Sequence, residues 1–250
     1  MIAPRKSGQW RSRPAPFPQT PARLFSSVFV ALVILAGALR GTAARAQSAS
    51  AAKPAEIRFS FENPQVHPVR YSLRIAEDGS GEYTSVAGGV LPGDGNDSIV
   101  APGQSRPIVV GEALRTKLFL LARRNKFFAL PCQARRKVAF SGTKTLSYSG
   151  PEGKGSCTFT WSKYQEIETL TGIFQGIALT LDEGGKLAVE RAHTPLALDA
   201  ELILLVKMAK QGDALELQNI APVLTSIAND DAALKRDRQW ARELLGSGKS

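Results

Sequence analysis

A chain of 250 residues with 32 Lys or Arg against 22 Asp or Glu carries a formal charge of +10, yet that figure does not describe a uniformly basic protein. Seven basic residues and no acid lie in positions 1–46, so the remainder holds 25 basic and 22 acidic residues, a net of +3. Neither His67 nor His193, the two histidines, has a cysteine or second histidine at metal-ligand spacing, which argues against a zinc centre; no cofactor is expected.

The first 46 residues read as a secretory signal. Arg5, Lys6, Arg11, Arg13 and Arg23 precede an apolar run at 24–39, and Ala44-Arg45-Ala46 supplies small residues for cleavage. Cleavage after Ala46 would leave a chain starting at Gln47, periplasmic or secreted. The alternative is an inner-membrane anchor formed by residues 24–39, although that run has 16 residues where a span needs about 20. No later segment is long and apolar enough to span, so no transmembrane helix is expected in the mature chain.

Residues 47–55 are small and polar, a disordered leader into the fold. Ile57, Phe59 and Phe61 then alternate with Arg58, Ser60 and Glu62, the period of a half-buried strand. Val69, Tyr71, Leu73 and Ile75 alternate likewise, and Asp78-Gly79 turns them into a partner strand at 82–86, a strong hairpin signal. A Gly- and Pro-rich loop follows over 88–103, with a brief strand predicted around 98–101. A short edge strand at 107–110 leads to a helix from Glu112 to about Lys126, whose apolar stripe is Leu114, Leu118, Leu121 and Ala122. Phe127-Phe128 plugs the core and Pro131 stops the helix.

After a short apolar segment at 138–140, a second hairpin pairs 143–149 with 156–162. Leu146, Tyr148, Cys157, Phe159 and Trp161 stand on its core face. Ser162 with Gln165 three residues on suggests a capping box, opening a helix striped by Ile167, Leu170, Ile173, Phe174, Ile177 and Leu181. Gly184-Gly185 is expected to end that helix, and Leu187, Val189 and Arg191 suggest one more strand over 186–192. Three helices are expected beyond Thr194, at 198–210, 213–227 and 231–245, with Pro222 kinking or shortening the second.

Charge and cysteines both concentrate in residues 113–165, which hold eleven Lys or Arg and one acid, Glu152. Cys132 and Cys157 form an even pair in a chain bound for an oxidising compartment, where a disulfide is expected. Such a bridge, closing 24 intervening residues, contributes about 3 to 4 kcal/mol by loop entropy. Two buried thiols are the alternative. Arg115, Lys117, Arg123, Arg124, Lys126, Arg135, Arg136 and Lys137 form a candidate anion-binding patch if the helix end and the cysteine turn lie together. The competing reading is an ordinary solvated helix face with acids from elsewhere folded against it.

Catalytic motifs are missing. There is no Gly-x-Ser-x-Gly elbow. Asp94-Gly95-Asn96-Asp97-Ser98 lacks the glycine and the closing glutamate of a calcium loop, and Gly246-Ser247-Gly248-Lys249-Ser250 follows a helix instead of joining a strand to one. The pattern Tyr71-Ser72-Leu73-Arg74-Ile75, Asp78-Gly79, Tyr83, a helix ending in Phe127-Phe128, then a second hairpin and helix, resembles a family of exported bacterial domains of unknown function. The resemblance covers roughly residues 56–183 and implies no activity. Pro222-Val223-Leu224, Ile227, Asp230-Asp231, Trp240-Ala241 and Leu244-Leu245 resemble one repeat of the HEAT type, where arrays need three or more.

The expected fold is α+β: an antiparallel sheet with two helices on one face over 56–193, and a helical extension over 194–250. The expected function is that of a non-enzymatic binding or interaction module of the cell envelope. Its partner would be an anionic envelope component or an acidic protein surface, with nucleic acid disfavoured outside the cytoplasm. An envelope enzyme or enzyme inhibitor, its site assembled from residues distant in sequence, is the alternative.

Overall fold

Alternation of apolar and polar residues builds a six-stranded sheet on which two helices lie. The computed structural model describes residues 54–88, 103–135, 139 and 141–248. The predicted signal with its cleavage site, the short strand at 98–101, the Asp94–Ser98 stretch and most of 138–140 lie outside them; of the leader expected to be disordered over 47–55, the described Ala55 is instead buried, its carbonyl accepting from Glu77 N at 2.9 Å. The described residues all belong to one compact unit spanning 48–250.

The strands are β1 (Glu56–Glu62), β2 (Arg70–Ala76), β3 (Ser80–Val86), β4 (Ser105–Val109), β5 (Thr143–Gly150) and β6 (Gly153–Phe159). They are ordered β4-β3-β2-β1-β5-β6 with every neighbour antiparallel. The first strand in sequence is thus interior, because the hairpin of β5 and β6 adds to its free side through Phe59 opposite Leu146. Ile57, Phe59, Leu73, Ile75, Tyr83 and Leu146 are completely buried on one face.

On the other face the register lines up Ser105, Thr84, Ser72, Ser60, Thr145 and Thr158, one hydroxyl per strand across the whole sheet. Beside that row, Glu56 accepts from Arg58 at 2.9 Å and Arg74 at 3.2 Å, and Arg74 also reaches Glu82 at 3.2 Å. A solvated antiparallel face with cross-strand polar pairs is the result.

Helix α1 (Glu112–Arg124) buries Leu118, Phe119, Leu121 and Ala122. It ends where the Asn125 side chain donates to Leu121 O at 2.8 Å, and a 3-10 turn follows at Lys126–Phe128 with φ of 52°, 55° and 67°. Left-handed conformations in three successive non-glycine residues are costly and need support from packing. That support comes from Phe128, fully buried, and from Phe127, whose ring lies 4.8 Å from that of Tyr148. The turn approaches β6 so closely that a Cβ at Gly155 would fall 2.4 Å from Phe127 O. The predicted disulfide joins Cys132 to Cys157 and fixes the following loop to the inner face of β6.

Helix α2 (Gln165–His193) departs from the sequence reading. It runs through Gly184-Gly185 for 29 residues, so the strand expected over 186–192 is helix. Leu187, Val189 and Arg191 imitate strand alternation, but the buried positions are Glu183, Leu187 and Glu190, one stripe at helical spacing. The glycine serves proximity instead of termination: a Cβ at Gly184 would sit 2.3 Å from Ile220 Cγ2. The helix start differs too. No side chain caps the helix end at Tyr164; Glu168, not Gln165, accepts from the Ser162 amide at 2.5 Å.

The extension comprises α3 (Leu198–Gln211), a 3-10 turn at Leu217–Ile220, α4 (Ala221–Ala228) and α5 (Lys235–Ser247). Pro222 stands in the first turn of α4, so the helix expected over 213–227 starts later. Asn219 pairs with the edge strand as another strand would: Val109 N donates to its Oδ1 at 2.8 Å and its Nδ2 donates to Val109 O at 2.9 Å. Arg106 donates to Asn219 O, and Gly111 N donates to Glu216 at 2.9 Å. The extension thereby covers part of an edge that would otherwise invite pairing. Among the described residues no helix is long and apolar enough to cross a membrane.

Gly184→Val drives two methyl groups into Ile220 and should destabilise the protein by about 1–3 kcal/mol in urea unfolding. Adding Ile220→Ala should recover part of that loss, since the two sites share one contact. An unchanged midpoint for the single variant would contradict the packing.

Candidate anion-binding site

The predicted basic patch is divided by its own neighbours. Arg123 is clamped from two sides: it donates to both oxygens of Glu152 at 2.6 and 2.7 Å and to Glu77 at 2.5 Å, with its guanidinium 5.8 Å from the Phe119 ring centroid. Hydrogen bonds from Arg123 hold the Glu152 carboxyl below the usual range, and the same contacts raise Arg123. Arg124 lies 3.7 Å from Glu166, and Arg115 donates to Asp78 O at 2.8 Å. Lys117, Lys126 and Arg135 have no ion pair among the described residues; Arg136 and Lys137 lie outside them.

Three open cavities separate these residues further. Arg115 and Arg123 share one of about 320 Å³ with Glu77, Phe119 and Leu120. Lys117 lines another, of about 570 Å³, where Leu114, Ile173, Met208 and Asp213 meet. Arg135 lines a third of about 690 Å³, together with Pro131, Gln133, Ala134, Trp161 and Lys163. Of these three, only the third brings two cations together with no acid among the described residues of its wall.

That third cavity is a cleft built on a braced floor. The disulfide pins Cys132, Ala134 N donates to Trp161 O at 2.9 Å, and Thr160 N donates to the Gln133 side chain at 2.7 Å. Gln133 returns its own amide to Ala134 O at 3.0 Å. On the rim, Lys163 Nζ stands 4.9 Å from the Tyr164 ring centroid. Trp161 is half-buried. A planar aromatic beside two ammonium or guanidinium groups can stack an apolar or sugar face while the cations hold an acidic group.

Trp161 and Lys163 are absent from the patch read in the sequence. Continued alternation from Cys157 and Phe159 places Trp161 on the core face, but β6 ends at Phe159 and the chain bends before α2. The available signal was the abrupt change from strand to helix period near Ser162, which breaks the two-residue register.

Both cysteines are tied together, and His67 Nδ1 lies 2.6 Å from Ala87 O. Among the described residues no group of three His, Cys, Asp or Glu side chains could hold a metal ion. The acids most perturbed by burial, Asp182, Glu183 and Glu190, line none of the three cavities. Compared with known proteins, the chain matches no family model and no curated protein.

Proposed function

We propose that this chain is an exported, non-enzymatic binding module of the cell envelope, and that it takes an acidic polysaccharide in the cleft of Trp161, Arg135 and Lys163. The observation that carries the reading is the pairing of two cations with an aromatic side chain in a concave site without an acid. A cleft admits a protruding polymer chain better than it admits a flat bilayer surface. Stacking on the indole and charge-assisted hydrogen bonds to a uronate carboxylate would share the recognition. Export is supported by the order of basic region, apolar run and small-residue site in positions 1–46, together with a disulfide of the kind that is common in oxidising compartments and rare in a reduced cytosol.

The patch at the end of α1 contributes less. Glu77, Glu152 and Glu166 already occupy Arg123 and Arg124, and a ligand would have to displace them.

Titration with alginate, monitored by isothermal titration calorimetry, should give binding that weakens steeply with salt. Trp161→Ala, and Arg135→Ser with Lys163→Ser, should each weaken it by at least about tenfold, whereas Arg123→Ser should not. Equal binding of a neutral glucan, preference for phosphatidylglycerol vesicles, or indifference to the cleft substitutions would overturn the assignment. The export reading is tested separately: the mass of the protein recovered from the envelope fraction should correspond to a chain beginning at Gln47, and an intact N-terminus would refute cleavage there.

A further inference from the structure

Beneath α3 lies a group of carboxyls that the cleft does not use. Glu183 and Glu190 stand two turns apart on the same stripe of α2, 3% and 4% exposed, and Glu201 comes from α3. One cation reaches them: Lys186 Nζ donates to Glu183 Oε1 at 2.7 Å. The second oxygens of Glu183, Glu190 and Glu201 are buried without a hydrogen-bond partner among the described residues. An ionised carboxylate only accepts, so three of them with one ammonium would leave two uncompensated charges between packed helices. Protons resolve the conflict: a protonated Glu183 can donate to Glu201, and a protonated Glu190 no longer carries a buried charge.

The remaining charges around α2 are engaged elsewhere. On α2 itself, Asp182 accepts from Tyr83 at 2.8 Å and Gln104 at 3.2 Å, toward the sheet, and Arg191 pairs with Asp230 after α4 at 2.9 Å. His193 is exposed at its end. Glu216 in the turn before α4 accepts from Gly111. Between α3 and α5, Arg236 lies 2.7 Å from Asp199 and Lys210 pairs with Glu243 at 2.8 Å; Asp237 is the exception, fully buried beside Asp199 with neither oxygen partnered among the described residues and its carboxyl raised by desolvation. Arg242 donates to Ala228 O and Arg238 to Asp231. Lys207 is exposed.

We infer that Glu183 and Glu190 form, against Glu201 of α3, an acid-closed latch between α2 and α3: with protons on the two α2 carboxyls the helical extension is held down, and when they ionise the like charges repel and release α3 while the sheet stays folded. Opening uncovers Leu187 and Leu202, both completely buried when the latch is shut.

The direction of the pH dependence follows from burial. Desolvation, and next the hydrogen bond and charge of Lys186 acting against it, leave Glu183 at about 7. Desolvation followed by the charges of Glu201 and Glu183 leaves Glu190 at about 7 as well. An unfolded glutamate titrates near 4.5. The stabilisation is therefore fully present below about pH 4.5 and is lost as pH rises through about 7, the range in which the folded chain holds protons that the unfolded chain has released. Asp182, raised by burial to about 6, adds a loss in the same direction over a lower window.

Amide hydrogen exchange of the full mature chain, corrected for the intrinsic rate, measures the latch directly. Between about pH 5 and pH 8 the opening constant of α3 amides should rise at least about tenfold and stay well above that of β1, whose amides open only when the whole sheet unfolds. Glu183→Gln with Glu190→Gln should remove most of the rise, leaving the smaller contribution of Asp182. Should the double variant not fold, Glu190→Gln alone, which leaves the Lys186 contact intact, should reduce it. The inference fails if α3 opening is independent of pH, if the carboxamide variants keep the wild-type slope, or if α3 and β1 open together.

Discussion

Phe174 of α2 lies flat against Phe59 at the centre of the sheet, ring centroids 5.0 Å apart and planes 8° from parallel. Around that contact Ile167, Leu170, Ile177 and Leu181 are completely buried, each stabilising by roughly 1.5–3 kcal/mol relative to exposure. The first half of α2 is thereby fixed to the sheet. Because the helix continues unbroken, its second half is carried beyond Leu181 to meet α3, α4 and the turn at Leu217–Ile220. One helix therefore sets the position of both the sheet core and the helical extension.

The parts of this arrangement that are local were legible in the sequence. Ile57, Phe59 and Phe61, the Asp78-Gly79 turn and the second hairpin carry their period and turn residues with them, and the even cysteine pair foretold the bridge. The parts that depend on a distant neighbour were not. Gly184-Gly185 looks like a helix stop until Ile220, far along the chain, is known to press against it. Glu183, Glu190 and Glu201 fall in segments that read as the end of one helix, a strand and another helix, and they become a cluster only once α2 is continuous. Trp161 falls on the core face only if alternation is carried past Phe159, where β6 ends, and the change to helical period near Ser162 is the one local sign against it.

Charge shows the same dependence on distant partners. Eleven basic residues crowd into 113–165, yet Glu77 and Glu166 fold onto the end of α1 from outside its sequence and Glu152 from within. Third-exposed pairs of this kind contribute little to stability and are weakened by salt. Their effect is on availability: they leave Arg135 and Lys163 beside Trp161 as the cationic aromatic site, on a floor held by the disulfide. Acids buried between helices, by contrast, act on the scaffold and not on the cleft.

The continuity of α2 is the claim from which the joined core and the latch both descend. Spin labels introduced as unnatural amino acids at the exposed positions Gln165 and Ala188 measure it directly. A single helix across these 23 steps predicts a narrow distance distribution centred near about 35 Å. A helix ending at Gly184 with the chain turning back as a strand would give a separation near about 20 Å, or a broad distribution, and would contradict the account.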